Sequence, residues 1–244
     1  MFKEQKKSSP GRHSSLFVTG TDTAVGKTFV CALLLEFLRG RGVDAGYQKW
    51  VSTGTTDGDL PDDLAFCLQR AGLQSPSLDR LPVQAPFRFA YPASPHLAAE
   101  LEGREIDPAG IIASYAALSP AHDFLIVEGV GGVLVPLRRD LLLADLVAHL
   151  GLTTLIVART GLGTLNHTLL TLEALRSRCV PILGVVLSDA SDMEDEVVAG
   201  DNLRTIAEIG KVKVFGRLER FLDRAAATRG FMPIGQAIVA AMQS

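Results

Sequence analysis

The sequence predicts an α/β fold, built on a mostly parallel central sheet with helices on both faces. Apolar runs of strand length alternate with segments of helical periodicity along most of the 244 residues. One run, residues 124–127, has four consecutive apolar residues, as expected for a strand that is buried on both faces. Strands that alternate with helices form parallel sheets, because each crossover helix packs back onto one face.

The predicted elements begin with a strand, a loop and a helix. Residues 16–19 are apolar, a glycine-containing loop follows, and apolar residues then recur at helical spacing over 28–39. Ser-Pro at 94–95 and Asp-Pro at 107–108 are typical of helix N-termini. The further predicted strands are 45–51, 123–128, 153–157, 182–187 and 211–215. The further predicted helices are 62–71, 94–103, 107–118, 141–150, 164–176 and 194–209.

We find no linker that would split the chain, so the sequence predicts one domain over 16–244 after a disordered polar tail over 1–15. The tail has no apolar core and therefore does not resemble a secretory signal. The longest apolar stretches, such as 152–158 and 181–187, are far shorter than the ~20 residues that cross a bilayer. We therefore expect no membrane partner.

The composition excludes two broad classes of protein. A content of 47% hydrophobic and 21% charged residues lies outside the range of intrinsically disordered chains. The 24 basic and 27 acidic residues leave no basic excess, which argues against a nucleic-acid partner bound through its phosphates. Cys31, Cys67 and Cys179 lie far apart without a CxxC pair, so a reducing cytoplasm is the expected location.

The loop after the first strand is GTDTAVGKT, residues 20–28. Its glycines would let backbone N–H groups face phosphate oxygens, while Lys27 would reach the terminal phosphates and the Thr28 hydroxyl would coordinate magnesium. The general pattern GxxxxGK[ST] places a glycine at position 21, where this chain has Thr21 and the glycine is Gly20. A chance Gly-Lys-Thr is the alternative, but the strand before and the helix after are the context the motif requires. The sequence thus predicts a P-loop NTPase-like three-layer sandwich.

Charged residues follow two other predicted strands, and ligands of open parallel sheets bind beyond the carboxyl ends of the strands. Glu128 would be a magnesium-side acid, with an ordinary solvated acid as the alternative. Asp62 and Asp63 start a predicted helix, where an N-cap and its neighbour are the alternative to a magnesium ligand. Lys49 would either be solvated or stabilise charge on a transferring phosphoryl group.

Together these residues resemble the dethiobiotin synthetase family, over most of residues 16–190. The motifs that carry the resemblance are GTDTAVGKT, KWVSTG at 49–54, Asp63, YPASPH at 91–96, VEGVGG at 127–132 and GLGTLNH at 161–167. Several motifs in the right order are far more specific than a phosphate loop alone.

The resemblance implies a cytoplasmic, homodimeric ligase of biotin biosynthesis that uses Mg²⁺, ATP, carbon dioxide and 7,8-diaminopelargonic acid. One substrate amine would capture carbon dioxide as a carbamate, ATP would activate it as a carbamic-phosphoric anhydride, and the second amine would close the cyclic urea. Catalysis of such a reaction depends mainly on positioning the reactants and neutralising their charge.

The resemblance also implies roles for individual residues. The catalytic residues would be Lys49, Lys27 and Thr23. The magnesium ligands would be Thr28, Asp63 and Glu128. The nucleotide-binding residues would be Ala24, Val25, Gly26, Lys27, Thr28, Phe29, Asp63, Glu128, Gly129, Val130, Gly131, Ser188, Asp189, Leu218 and Glu219. The substrate-binding residues would be Thr53, Gly163, Thr164, Leu165 and Asn166.

The segment 163–166 lies at the start of a predicted helix, where free N–H groups attract an anion such as the substrate carboxylate. In similar proteins this segment comes from the neighbouring subunit, which implies the homodimer. The alternative interpretation of this segment is a glycine-rich helix cap that binds no ligand.

Four residues depart from the family pattern. Ala24 replaces a glutamate in the phosphate loop, and Trp50 replaces a proline after the strand lysine. Ser188 stands where many relatives have an asparagine that reads adenine, and Glu219 stands where relatives have proline. A hydroxyl offers less geometric discrimination than an amide, so ATP is expected and another triphosphate stays open.

Three other functions stay open. A partitioning or regulatory ATPase would carry a second lysine at position 22, which is Asp22 here. An amide-forming enzyme of the cobyric acid type usually carries a glutaminase domain, for which the chain after residue 220 is too short. A degenerate relative would bind nucleotide without turnover, and Ala24, Ser188 and Glu219 are compatible with that.

Overall fold

Strands and helices alternate through the part of the chain that the computed structural model describes, residues 14–56, 59–189, 195–221 and 223–243. The strands are β1 Ser14–Gly20, β2 Ala45–Lys49, β3 Val51–Thr53, β4 Phe87–Phe89, β5 Phe124–Gly132, β6 Pro136–Arg138, β7 Leu141–Leu142, β8 Thr154–Arg159, β9 Ile182–Ser188 and β10 Val214–Leu218. The α-helices are α1 Lys27–Arg39, α2 Asp62–Arg70, α3 Leu81–Gln84, α4 Pro95–Leu101, α5 Pro108–Leu118, α6 Leu143–Leu150, α7 Thr164–Arg176, α8 Glu196–Gly210 and α9 Arg224–Met242.

Six strands form the central sheet, in the order β10-β9-β8-β1-β5-β2, and each neighbouring pair is parallel. The chain leaves β1 toward β2 on one side, whereas it leaves β8 toward β9 on the other. Such a reversal is the switch point beyond whose strand ends ligands bind. Two small sheets, β3 with β4 and β6 with β7, lie outside the central one. The predicted mostly parallel sheet is confirmed.

Each face of the sheet has its own apolar core. Successive strand residues point to opposite faces, so Leu16 and Val18 pack with α1, α2 and α9, while Phe17 packs in the cluster that contains residues of α4 to α8. Burial of apolar area at about 25 cal/mol per Å² stabilises both layers. The predicted sandwich of helices, sheet and helices is therefore confirmed.

The second predicted strand, 45–51, is interrupted at Trp50. β2 ends at Lys49, and residues 51–53 form β3, which pairs with β4 rather than with the central sheet. Trp50 is fully buried and its ring centroid lies 5.0 Å from that of Phe17. The chain thus leaves the central sheet directly after Lys49, and the indole packs in the core on the face opposite Lys49.

The ends of the chain differ most from the prediction. β1 begins at Ser14, so Ser14 and Ser15 belong to the sheet rather than to the predicted tail, and residues 1–13 lie outside the described residues. The last strand forms at Val214–Leu218 rather than at 211–215, because Lys211 takes the left-handed conformation, with φ 45°, that ends α8.

Two further differences concern helices. The predicted helix 194–209 begins at Glu196, after Asp195 accepts hydrogen bonds from two backbone N–H groups of its first turn, and Glu194 lies outside the described residues. The sequence analysis did not predict α9, which contains Pro233. Among the described residues, no helix is long and apolar enough to cross a membrane. The one-domain interpretation of 16–244 is retained as a proposal.

Candidate active site

The loop between β1 and α1 leaves no room for a side chain at two glycines. A Cβ atom at Gly20 would lie 2.6 Å from the carbonyl oxygen of Asp22, and one at Gly26 would lie 2.6 Å from Ser188 Oγ. Gly26 also has a φ of 92°, in the left-handed region that favours glycine. The close approach at Gly20 explains why position 20 requires glycine in this chain. The general pattern places its first glycine one residue later, where this chain has Thr21.

Lys27 begins α1 and folds back over this loop. Its Nζ donates a hydrogen bond to the carbonyl oxygen of Asp22 at 3.1 Å, and the residue is buried. Burial lowers the pKa of Lys27 and the positive charge of Lys49 lowers it further, while the carboxylates of Glu128 and Asp63 act in the opposite direction. The first predicted phosphate-binding cation therefore lies in a strongly charged pocket.

Strand geometry brings the second cation and its acid to the same face of the sheet. Tyr47 and Lys49 are two residues apart in β2 and so point to one face, and Lys49 is opposite Glu128 in the parallel register of β2 and β5. The helices α1 and α2 cover this face. Thr28 lies in the first turn of α1 and Asp63 in that of α2, where negative charge is favoured by the helix dipole.

Lys49 bridges the two carboxylates. Its Nζ lies 2.6 Å from Glu128 Oε1 and 2.6 Å from Asp63 Oδ2, and it also donates to the carbonyl oxygen of Gly129 at 3.1 Å. Burial by itself would lower the pKa of Lys49, but the charges of Glu128 and Asp63 outweigh it and raise that pKa. Burial would likewise raise the pKa of Asp63, and the charge of Lys49 outweighs it and lowers that pKa.

Thr28 lies between the same two carboxylates. Its Oγ1 is 2.9 Å from Asp63 Oδ1 and 2.9 Å from Glu128 Oε1. A hydroxyl carries one hydrogen, so it can donate to only one of them at a time, and the other contact brings two oxygens together. A cation among these oxygens would relieve that contact. Two carboxylates and a hydroxyl are hard oxygen donors, so the residues fit Mg²⁺, which usually completes its shell with water and phosphate.

Tyr47 belongs to this cluster, although the sequence analysis did not select it. Its hydroxyl donates to Glu128 Oε2 at 2.8 Å, and both residues are fully buried. Burial raises the pKa of Tyr47 well above its usual value, so the phenol stays a donor. The two-residue spacing from Lys49 in a strand was the signal that could have identified it.

A cleft of about 690 Å³ opens above the loop and the cluster. The predicted site residues that line it are Thr23, Ala24, Gly26, Lys27, Thr28, Phe29, Lys49, Thr53, Asp63, Glu128, Val130 and Gly131. Sequence reasoning had not assigned four further lining residues, which are Val51, Ser52, Asp62 and Phe66. The cleft can therefore hold an anionic ligand beside two cations, with a threonine hydroxyl on each wall.

Comparisons with known proteins agree with these motifs. A family model described as an AAA domain matches residues 14–227. The chain is 39% identical to the ATP-dependent dethiobiotin synthetase BioD of Methanococcus vannielii, over 82% of this chain and 91% of that protein. The chain belongs to the ATP-dependent dethiobiotin synthetase family. It is also 36% identical to the protein of the same name from Methanocaldococcus jannaschii, over 82% of this chain and 92% of the relative.

A solved structure supports the fold of this synthetase family member. The complex of Cyanothece McdA with ATP matches with a TM-score of 0.56, over 96% of each chain, at 14% sequence identity. At that identity the likeness shows the fold alone.

The base-side residues implied by the synthetase resemblance do not line the cleft. Ser188 packs behind the loop at Gly26, and its side chain is buried. Asp189 accepts two hydrogen bonds from Arg217, at 2.8 Å from Nε and 2.8 Å from a terminal nitrogen. Arg217 was not predicted, and the Asp189 carboxylate is thus already neutralised within the chain. The N–H of Asp189 donates to the carbonyl oxygen of Leu218 at 3.0 Å, which ties the ends of β9 and β10 together.

The other residues that the synthetase resemblance selected have different surroundings. Val25 packs in the apolar core, and the carbonyl oxygen of Gly129 accepts from Lys49. Glu219 is exposed after the end of β10. Val25 thus contributes a core side chain, Gly129 a backbone carbonyl and Glu219 a surface side chain, and none of the three places a side chain in the cleft.

The predicted carboxylate-binding segment lies at the start of α7, away from the cleft of the same chain. Gly163 is the N-cap with φ 89°, and Asn166 is exposed. Thr164 is fully buried, with its hydroxyl 3.4 Å from that of Thr168. The segment has the helix start that the sequence analysis expected, but Gly163, Thr164, Leu165 and Asn166 do not line the cleft.

Proposed function

We propose that this chain catalyses the ATP- and magnesium-dependent carboxylation and ring closure of 7,8-diaminopelargonic acid to dethiobiotin. Membership of the synthetase family makes this activity the leading one. The observation that carries the proposal at the level of residues is the convergence of two ammonium groups, two carboxylates and a hydroxyl beside one cleft. The residues concerned are Lys27, Lys49, Asp63, Glu128 and Thr28.

The reaction has three balanced steps. One amine of the diamine attacks carbon dioxide and loses a proton, which gives a carbamate. The carbamate oxygen attacks the γ-phosphorus of ATP, which gives a carbamic-phosphoric anhydride and ADP. The second amine attacks the anhydride carbonyl, loses a proton and expels phosphate, which closes the cyclic urea. In each step the protein gains most by holding negative charge and reactants in place.

We assign the anionic centre to the two lysines. Lys27, at the loop, would hold the terminal phosphates. Lys49, buried and ion-paired on the facing strand, would hold the carbamate and the transferring phosphoryl group. Thr23 and Thr53 lie on the lining of the same cleft, which supports a role for their hydroxyls as donors to the carbamate.

We assign the magnesium side to Thr28, Asp63 and Glu128. When bound there, the ion would supply positive charge beside phosphate oxygens. The crowded oxygen contact at Thr28 and the hard donor set support this assignment. Lys49 Nζ pairs with Glu128 Oε1 and with Asp63 Oδ2, so both carboxylates of the cluster have a cationic partner within the chain.

We assign the nucleotide to the loop and the base to the corner between β9 and β10. Backbone N–H groups of residues 24–29 would face the phosphates, with 129–131 on the opposite wall. Ser188, Asp189, Leu218 and Glu219 would surround the base. Because Arg217 engages the Asp189 carboxylate, a base contact at this corner would fall to the Ser188 hydroxyl, which can either donate or accept. ATP is the proposed co-substrate.

We propose that the active form is a cytoplasmic homodimer in which α7 of one subunit binds the distal carboxylate of the diamine held by the other. The exposed Asn166 at a helix N-terminus supports this role, because free N–H groups there attract anions. Three cysteines without disulfide bonds are in keeping with a reducing compartment.

Phosphate release tests the proposal. The assay contains ATP, MgCl₂, bicarbonate and 7,8-diaminopelargonic acid, and each component is omitted in turn. We expect release only in the complete mixture, together with dethiobiotin detected by mass spectrometry. Hydrolysis that does not need the diamine would favour a nucleotide-switch ATPase. Nucleotide binding without phosphate release would favour a degenerate relative.

The switch-ATPase alternative has weaker support from the loop itself. At position 22, where such proteins carry a lysine, Asp22 forms an ion pair with Arg159 at 2.8 Å. The loop therefore carries a carboxylate, already paired with a cation from β8, at the point where a second phosphate-facing cation would be needed.

A further inference from the structure

Glu128 uses its two carboxylate oxygens for different purposes. Oε1 faces the cleft and lies 2.6 Å from Lys49 Nζ and 2.9 Å from Thr28 Oγ1. Oε2 faces away and accepts a hydrogen bond from the Tyr47 hydroxyl at 2.8 Å. The carboxylate plane, and with it the direction in which Oε1 points, is therefore fixed by a donor that does not line the cleft.

Tyr47 has a fixed place in the core beside Glu128. Tyr47 is fully buried in the middle of β2, in the apolar layer formed with α1 and α2. Its strand is hydrogen bonded directly to the strand that carries Glu128. A carboxylate accepts and cannot donate when ionised, so the phenol must be the donor in this pair. A short, fully buried pair on two adjacent strands has little freedom to rotate.

We propose that Tyr47 is a positioning residue, which orients Glu128 so that a single carboxylate oxygen is presented to the divalent cation. The proposal rests on the magnesium side assigned above. Groups that hydrogen bond to metal ligands orient them, and their loss typically costs about 10- to 100-fold in metal affinity or activity. Tyr47 would act through Glu128 and would touch neither the metal nor the substrate.

The test is Tyr47→Phe, which removes only the hydroxyl. Mn²⁺, followed by the loss of its free electron paramagnetic resonance signal, reports metal binding to the protein with a non-hydrolysable ATP analogue. We expect the Mn²⁺ dissociation constant to rise by about 10-fold or more. The affinity for the analogue in EDTA should change less than about twofold, because no nucleotide contact is lost.

Tyr115→Phe is the matched control. Its hydroxyl bonds to Ser15 Oγ at 3.0 Å, away from the cleft, so Mn²⁺ affinity should stay at the unmodified value. A loss of Mn²⁺ affinity as large as that of Tyr47→Phe would overturn the proposal, because the effect would then not depend on the pair with Glu128.

A double-mutant cycle with Glu128→Ala separates positioning from general damage. If Tyr47 acts through Glu128, Tyr47→Phe should have no further effect on Mn²⁺ affinity in the Glu128→Ala background. An unchanged, additive loss there would overturn the proposal. The bound analogue stabilises the folded state, which keeps weakened variants measurable.

Two failures can be told apart. If the unmodified protein with the analogue takes up no Mn²⁺, the assigned magnesium side is wrong and this proposal falls with it. If the unmodified protein binds Mn²⁺ and Tyr47→Phe binds it equally well, the magnesium side stands and Tyr47 has no positioning role.

Discussion

The two sides of the phosphate loop differ in how completely a single chain satisfies its polar groups. On the β5 side, Lys49, Glu128 and Tyr47 are buried and pair with one another. Around the ends of β1 and β8 and the start of α7, four buried side-chain atoms have no hydrogen-bond partner among the described residues. These atoms are Thr21 Oγ1, Arg159 Nε, Thr160 Oγ1 and His167 Nδ1.

Buried polar groups in folded proteins are nearly always hydrogen bonded, so unpaired ones call for an explanation. Thr21 and His167 also line a second cavity, of about 370 Å³, together with Leu134 and Leu170, whose side chains are exposed. The contrast between these two clusters teaches that Lys49, Glu128 and Tyr47 satisfy one another within one chain, whereas the start of α7 resembles a surface that another group would complete. The proposed homodimer accounts for both properties.

The largest effect is expected from Lys49→Ala, in the buried cluster of Lys49, Glu128 and Tyr47. Removing a cation from a buried centre of developing negative charge should lower kcat by about 10²- to 10³-fold or more. Nucleotide binding should be largely retained, because Lys27 and the loop remain. Phosphate release and calorimetric titration with ATP measure the two quantities separately.

Lys213→Ala is the control for Lys49→Ala, because Lys213 is exposed and lies over the ring of Phe215. It should leave both quantities unchanged. Full activity of Lys49→Ala would remove Lys49 from the mechanism and leave the β5 side as a purely structural cluster.

The proposed contribution of α7 to the site of the neighbouring subunit can be tested by mixing two variants. Asn166→Asp places a carboxylate where the substrate carboxylate is proposed to bind, and juxtaposed like charges cost several kcal/mol, so KM for the diamine should rise more than 10-fold. At diamine concentrations well below KM, Lys49→Ala and Asn166→Asp would then each have little activity alone. If α7 serves the neighbouring subunit, each mixed dimer contains one site with native residues at both positions.

After subunit exchange at equal concentration, about half the dimers are mixed and activity should recover to roughly a quarter of the native value. The two variants assayed separately and summed are the control. No recovery, in a mixture shown by native mass spectrometry to contain mixed dimers, would contradict the shared site and place α7 with its own chain.

Asp63→Asn should have an intermediate effect. Its carboxylate contacts Thr28 and Lys49 at the edge of the cluster and remains partly accessible. Replacing it with an amide removes one hard anionic ligand, so the Mg²⁺ concentration for half-maximal activity should rise about 10-fold. Asp62→Asn is the neighbouring control, since Asp62 is exposed and precedes Asp63 in the same helical turn. Equal Mg²⁺ requirements for the two variants would count against Asp63 as a ligand.

Sequence reasoning was strongest where a local pattern and the sheet agree. The loop and Glu128 were selected because they follow strand ends, and parallel strands bring their carboxyl ends to one edge, while the family resemblance selected Lys49 and Asp63. The structure brings all of them to one cleft. Their roles as ligands and catalytic groups stay predictions.

Sequence reasoning was weaker where a contact depends on distant packing. Tyr47 looks like an ordinary strand residue until the register of β2 and β5 sets it beside Glu128. The pair of Arg217 with Asp189 joins the ends of β9 and β10, and the predicted bounds of β10 were three residues too early. Such partners are set by strand register, and strands buried on both faces lack the polar and apolar alternation that would mark it.

The smallest effect is expected from Ser188→Ala, at the corner assigned to the base. Asp189 is already paired with Arg217, so the proposed base contact at this corner falls to the buried Ser188 hydroxyl. Losing one neutral hydrogen bond costs about 0.5–1.5 kcal/mol, so kcat/KM for ATP should fall roughly 2- to 10-fold. Because a hydroxyl either donates or accepts, kcat/KM for GTP should fall by a similar factor, and the ratio of the ATP value to the GTP value should hardly change.

Ser177→Ala, at the end of α7, is the control and should leave both kcat/KM values unchanged. A change of more than 100-fold in the ATP to GTP ratio would instead make Ser188 the main determinant of base choice.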